Sequence, residues 1–342
     1  MIWTVVRVGL AVLLAAVVVG AGAGHAQKGE KLLLAYSSPV QGSDSTFLFA
    51  GKQLGFFSEQ GVDLDIQTTP GSVAAAGFIA SGAMDIALGG LEAVPGYVLQ
   101  NVPLKTVYLY ANRPIFSIGF LKGSKVQKVA DMKGTKIGVV TLGSGSIPVL
   151  QYMLKEAGLT MTDVTLVPLG LGSAAVAAIK KGEVESISYH DTAFPLFAAN
   201  GVEFSQLYVS PKLQQGYAGQ GIYAQERTLA SKRAAVEGFL RGLTKSLAYA
   251  SKDPAGATRA FGQLVPEVAK NPKLEEAAWR ERMKIIPVAA PGQWGAMNRT
   301  DWENLLDVLL IGGVVKDKPP LEKLYTTDFL KAANQVDLTK LP

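Results

Sequence analysis

From about residue 32 to residue 209, short apolar segments alternate with helical patterns, and Gly or Ser marks most junctions. That alternation implies α/β architecture with mostly parallel sheets covered by helices. Strands are expected at 32–36, 64–68, 86–88, 107–110, 137–141, 165–169, 186–189 and 206–209. Between them, Phe47, Leu54 and Phe57 share one helical face that stops at Gly61. Ile147, Leu150, Leu154 and Ala157 share another, with Pro148 in the first turn and Gly158 as the stop. Proline just inside a helix start and glycine just past its end are the expected boundary signals.

A faint repeat at a spacing of about a hundred residues organises these elements further. Gly71-Ser72-Val73-Ala74-Ala75-Ala76 resembles Gly172-Ser173-Ala174-Ala175-Val176-Ala177. Each opens a small-residue helix that ends at Gly82 or Gly182 and leads into a short strand. The match needs a one-residue gap, and Ala-rich helices can resemble one another by composition alone. Taken as a repeat, it gives two similar lobes. Helical stretches dominate after residue 223, at 228–251, 255–265, 273–286 and 300–311, and are expected to cover the first lobe. Two linking segments, near 113–121 and 211–223, then join the lobes as a hinge, and hinged lobes enclose a cleft.

The start of the chain reads as a leader. Arg7 precedes an apolar run from Val8 to Val19, and Gly24-His25-Ala26 supplies small residues before polar Gln27. This is a secretory signal peptide pattern with cleavage expected after Ala26. An uncleaved anchor is the rival, but the run is shorter than the roughly 20 residues a spanning helix needs. Cysteine is absent from all 342 residues, which excludes disulfides, zinc–thiolate sites, cysteine nucleophiles and a lipidated N-terminus. A secreted chain of this kind suits a Gram-negative periplasm. The formal charge of +5, or +4 without Arg7, is scattered, with Lys180–Lys181 and Lys232–Arg233 the densest pairs. Solvated helix faces explain it, and nothing points to nucleic acid.

Beyond the leader only one histidine remains, His190, so histidine metal clusters and an HExxH helix are excluded. His190 and Asp191 are strand neighbours and point to opposite faces, which makes no relay. Neither a GxSxG elbow nor a GxxxxGK[ST] loop is present. Gly170-x-Gly172-x-x-Ala175 follows a strand and opens a helix, but close packing of an Ala-rich helix accounts for its glycines. No cofactor and no metal are expected.

What the chain does offer is polar loops at the C-terminal ends of expected strands, where α/β proteins bind ligands. Thr141, Ser144, Gly145 and Ser146 lie in one, combining hydroxyls, close backbone approach and a helix start that favours anions. A plain capped loop would use the same residue types. Comparable loops recur, however, at Ser37, Ser38 and Asp44, at Gly90, Leu91 and Glu92, and at His190, Asp191 and Thr192. The set together is the expected ligand site. Arg113 lies at the first crossing, as either a contact for an anion or a hinge salt bridge. Trp279, Trp294 and Trp302 are expected to anchor packing in the helical part.

These segments resemble those of periplasmic solute-binding proteins of ABC importers that take up nitrate, sulfonates, taurine or thiamine pyrimidines. The resemblance is carried by Ala50-Gly51-Lys52-Gln53-Leu54-Gly55-Phe56-Phe57 with Glu59 and Gly61-Val62-Asp63-Leu64, and by Ser81-Gly82-Ala83-Met84-Asp85-Ile86-Ala87. In the second lobe it rests on Leu142-Gly143-Ser144-Gly145-Ser146, Gly158-Leu159 and Gly182-Glu183-Val184-Glu185. It implies a two-lobed periplasmic binding protein fold, type II-like, with two hinge crossings. A signal peptide (1–26), one lobe from 27–115 and 222–342, and a second from 116–221 follow. It further implies a non-enzymatic, monomeric protein that captures a small organic, anionic solute and docks on an inner-membrane ABC permease. A sensor or adaptor of the same fold is the alternative, and an enzyme on that fold a more distant one. The loop from Ser37 to Asp44 departs from the family pattern, so solute identity does not transfer. Relatives that make a thiamine pyrimidine use a histidine, a lysine-bound cofactor and a cysteine-rich iron motif, which a cysteine-free chain cannot supply.

Overall fold

A computed structural model of the chain describes residues 29–38, 41–286 and 292–342. The leader expected at 1–26 lies outside the described residues. The chain builds β1 (Glu30–Tyr36), α1 (Thr46–Gln53), β2 (Val62–Thr68), α2 (Ser72–Ser81), β3 (Ile86–Gly90), α3 (Val94–Leu99) and β4 (Leu104–Ala111). It then crosses to β5 (Phe116–Leu121), β6 (Lys136–Val139), α4 (Ser146–Glu156), β7 (Thr165–Pro168), α5 (Ser173–Lys180), β8 (Ser186–His190), α6 (Ala193–Ala199) and β9 (Phe204–Tyr208). Through α7 (Pro211–Gln214) it returns to β10 (Gln220–Gln225). The helical remainder is α8 (Glu226–Ser231), α9 (Arg233–Lys252), α10 (Pro254–Leu264), α11 (Pro266–Lys270), α12 (Pro272–Met283), α13 (Arg299–Gly312) and α14 (Leu330–Ala333).

Two five-stranded sheets result, ordered β2-β1-β3-β10-β4 and β7-β6-β8-β5-β9. In each, three strands from the repeated unit run parallel, and the fourth position holds the one antiparallel strand. That strand is the one the chain lays down immediately after crossing from the other sheet: β5 on the way out, β10 on the way back. The segments expected to be simple links are therefore corrected: Phe116–Leu121 of the first is strand, and the second holds a short helix, Pro211–Gln214, before it enters the strand Gln220–Gln225. The repeat itself has a structural counterpart, since α2 follows β2 as α5 follows β7. Gly82 and Gly182 end those helices with φ of +79° and +72°, a left-handed turn that favours glycine.

Period-2 burial explains how the first sheet is covered on both faces. Leu32, Leu34 and Tyr36 of β1 join Phe47, Phe57, Phe239 and Leu243 of α1, the turn after it and α9. Ala35, between them, faces Ala75, Ala76 and Ile79 of α2. Each fully buried Leu or Phe contributes roughly 1.5–3 kcal/mol. The helical C-terminal part covers the first sheet, with a correction for two helices. Helix α12 packs on α6 and α13 packs on α4, both beside the second sheet. Leu305 and Leu309 thereby join Val149, Leu150 and Met153 in one core that runs past both crossings. Trp279, Trp294 and Trp302 are buried. Trp279 Nε1 donates to Ala250 O (3.0 Å), and Trp302 stacks on Tyr325 at 5.2 Å. Among the described residues no helix is long and apolar enough to cross a membrane.

Candidate functional site

The C-terminal ends of β1, β3, β6 and β8 face one another across the seam between the sheets, and the loops that follow them enclose a chamber. It is lined by Ser37, Ser38, Asp44, Gly71, Ser72, Thr141, Ser144, Gly145, His190 and Gln220, with Ile115, Phe116 and Leu171 as its apolar wall. Its volume is about 40 Å³. Roughly 10–15 Å³ admits one water, so this is room for a polar head group rather than a whole solute. Through Asp44, Leu171 and His190 it joins an outer chamber of about 620 Å³. Val176, Leu196, Phe197, Val268 and Leu274 make that chamber largely apolar, with Thr192, Asn200 and Glu275 on its wall.

Two helices of ten and eleven residues begin at the inner chamber, α2 from the first sheet and α4 from the second. Both have glycine N-caps, Gly71 and Gly145, so neither N-cap supplies a side chain to its first turn. Their partial positive ends favour an anion. At α4 the donors are mostly taken, because Ser144 Oγ accepts from Ser146 N–H (3.2 Å) and Ser144 O accepts from Ile147 N–H (3.1 Å). Pro148 has no N–H to offer. Helix α2 is therefore the barer of the two ends, a difference that the Gly-Ser loop hid in the sequence. The two helix starts approach closely. Gly71 has φ of +126°, and a Cβ there would stand 2.6 Å from Gly143 O. Thr141 Oγ1 donates to Pro70 O across the same seam (3.0 Å).

Acidic groups balance these ends. Asp44 Oδ1 accepts from Tyr36 Oη (2.7 Å). His190 is half-buried, and desolvation of the ring lowers its pKa from 6.5 and keeps it neutral at pH 7; its Nδ1 lies 2.8 Å from Thr192 Oγ1. Asp191 points away from the chamber. It forms a two-pronged ion pair with Arg282 of α12, at 2.7–3.0 Å, and Arg282 Nη1 also donates to Asp44 O (3.0 Å). Gly90, Leu91 and Glu92 sit one layer below the lining: Leu91 is core, and Glu92 is buried at 3% exposure. Ser146 is fully buried behind the lining. Arg113 is at the first crossing, where its Nε donates to Gln214 O of the second (2.9 Å).

Of the residues expected from sequence, Ser37, Ser38, Asp44, Thr141, Ser144, Gly145 and His190 thus line one chamber, and Thr192 lines the next. Sequence reasoning missed Ser72, Phe116, Gln220 and Arg282. Ser72 had a signal, since the repeat pairs Gly71-Ser72 with Gly172-Ser173 at a helix start. Arg282 had none, because its partner is 91 residues away. Among the described residues no group of three or more His, Asp or Glu side chains is placed to hold a metal ion.

A model of the NMT1/THI5-like family matches residues 43–257. The chain is similar to the formylaminopyrimidine-binding protein of Halalkalibacterium halodurans, at 23% identity over 77% of this chain and 80% of that one. It superposes on the alkanesulfonate-binding protein SsuA of Xanthomonas axonopodis bound to MOPS with a TM-score of 0.66, at 17% identity, over 86% of this chain and 98% of that one. A Candida albicans protein described as having the generic periplasmic binding protein fold superposes with a TM-score of 0.67, at 16% identity, over 87% and 96%. This chain has that fold.

Proposed function

The chain belongs to the NMT1/THI5-like family, and we propose that it is the periplasmic substrate-binding subunit of an ABC importer, capturing a small organic acid between its lobes. The observation that carries the reading is the convergence of α2 and α4, one from each sheet, on a chamber lined by hydroxyls. Such a chamber holds an accepting head group, and Asp44 on its wall favours a solute that also carries an N–H donor. The relative's formylaminopyrimidine and the neighbour's alkanesulfonate both combine a polar head with an organic body, in keeping with the adjoining apolar chamber.

Capture works by closure. A solute that touches both lobes only when they are closed shifts an open–closed equilibrium toward the closed form. The test is a thermal-shift panel of small sulfonates, carboxylates and amino acids, followed by calorimetry and small-angle scattering on the best binder. Scattering should give a smaller radius with solute, and the Ser72→Ala/Ser144→Ala double variant should bind at least about tenfold more weakly, one hydrogen bond to a charged group being worth roughly 1.5–3 kcal/mol. Unchanged affinity in the folded double variant would remove this chamber from the binding site.

Export to the periplasm is part of the same proposal. Intact mass of the protein from a periplasmic extract should begin at Gln27 and carry no acyl chain. A species retaining Arg7 would contradict it.

A further inference from the structure

Glu92 follows β3 of the first lobe, yet its carboxyl reaches the seam. A Cβ built on Gly145, the N-cap of α4, would stand 3.2 Å from Glu92 Oε2 and 3.1 Å from Ser72 Oγ; one on Gly90 would stand 2.3 Å and 2.6 Å from the same atoms. Oε2 is therefore held beneath the floor of the inner chamber, between the start of α2 and the start of α4. It is buried and has no hydrogen-bond partner, and Ser146 Oγ in the first turn of α4 is likewise buried and unpartnered. Oε1 accepts a long bond from Tyr217 Oη, at 3.4 Å.

We propose that Glu92 sets the anion preference of this chamber: with its proton on, it leaves the partial positive charge of both helix ends unopposed toward an anionic head group, and once ionised it cancels that charge and releases the solute. Each helix end carries about half a positive charge. A full negative charge a few ångströms behind both outweighs either one, whereas a neutral carboxylic acid does not oppose them. The inference rests on the solute-binding reading above and adds the group that makes binding proton-dependent.

Burial lifts the Glu92 carboxyl from 4.5 to about 8, so at pH 7 it is mostly protonated. The groups around it are quiet in that range. Tyr217 ahead of β10, Tyr223 on β10 and Tyr110 on β4 are phenols that burial pushes well above 10. Across the chamber His190 is held below its usual 6.5 by desolvation, Asp44 accepts from Tyr36 Oη, and Arg282 is engaged by Asp191. Between pH 7 and 9.5 the charge that changes beside the floor is that of Glu92.

Calorimetry with propane-1-sulfonate, a monoanion throughout this range, tests the proposal on the wild-type protein, Glu92→Gln and Glu92→Met. When only a fraction of the protein is competent, affinity falls by that fraction. The wild type should bind roughly thirtyfold more weakly at pH 9.5 than at pH 7, and both neutral variants should give flat profiles. Two variants of different polarity guard against one failing to fold. A flat wild-type profile, or one slope shared by all three proteins, overturns the role of Glu92 and leaves solute capture standing. Absence of sulfonate binding by all three at every pH overturns this role of Glu92 at the chamber, and the solute panel above tests capture separately.

Discussion

Arg282→Met is expected to weaken solute binding by about a hundredfold. The guanidinium is 1% exposed, and it holds Asp191 of the second lobe at 2.7–3.0 Å while binding Asp44 O of its own lobe. Removing one partner of a buried pair costs about 3–5 kcal/mol, because the other charge is left uncompensated. Here Asp191 retains some solvent contact, with a side-chain exposure of 18%, so the low end of that range applies. Under the closure proposed above the pair bridges the two lobes in the closed form, so its loss penalises that form, and about 2.7 kcal/mol is a hundredfold in affinity. Calorimetry with the best binder of the panel measures it directly, and scattering should show the variant staying open at solute concentrations that close the wild type. Affinity within threefold of wild type would show that the ion pair does not contribute to closure.

Glu92 should also impose a pH slope on folding stability in the absence of any solute. Its folded pKa is about 8 against an ordinary 4.5. Between those values the unfolded chain has lost the proton and the folded chain keeps it, so the folded state binds more protons and stability falls as pH rises. The contribution is fully present below about 4.5, declines toward 8, and is gone above it. One unit is worth about 1.4 kcal/mol, so the loss across the window is on the order of 3–5 kcal/mol. Glu92→Gln has no proton to lose and should lack that component. Urea unfolding of both proteins at pH 5, 6.5 and 8.5 gives the difference. Parallel stability profiles would place the carboxyl in a solvated environment, contrary to its burial.

Much of the architecture is legible because it is written in local patterns. Alternating burial along β1, the Pro148 start of α4 and the glycine stops at Gly82 and Gly182 each depend on residues within one turn or strand. So does the polar character of the loop from Thr141 to Ser146. For that reason the α/β class, the two-fold repetition and half of the chamber lining can be read without coordinates. Phe116–Leu121 and Gln220–Gln225 are different. Each sits where the chain changes lobe, and only pairing with strands up to 138 residues distant makes it a central antiparallel strand rather than a link.

The chemistry of the site divides along the same line. Sequence alone places hydroxyls, a histidine and three acids near strand ends, because strand ends are local features. It does not say which acid does what, since burial and pairing are properties of neighbours far away in the chain. Asp191 is neutralised by Arg282, 91 residues on, while Asp44 stays on the chamber wall beside Tyr36. Glu92 looks in the sequence like a third loop carboxylate. Gly145 of the other lobe and Tyr217, 125 residues away, enclose it instead. Removal of water by those neighbours is what raises its proton affinity, and that is decided only when the two lobes come together.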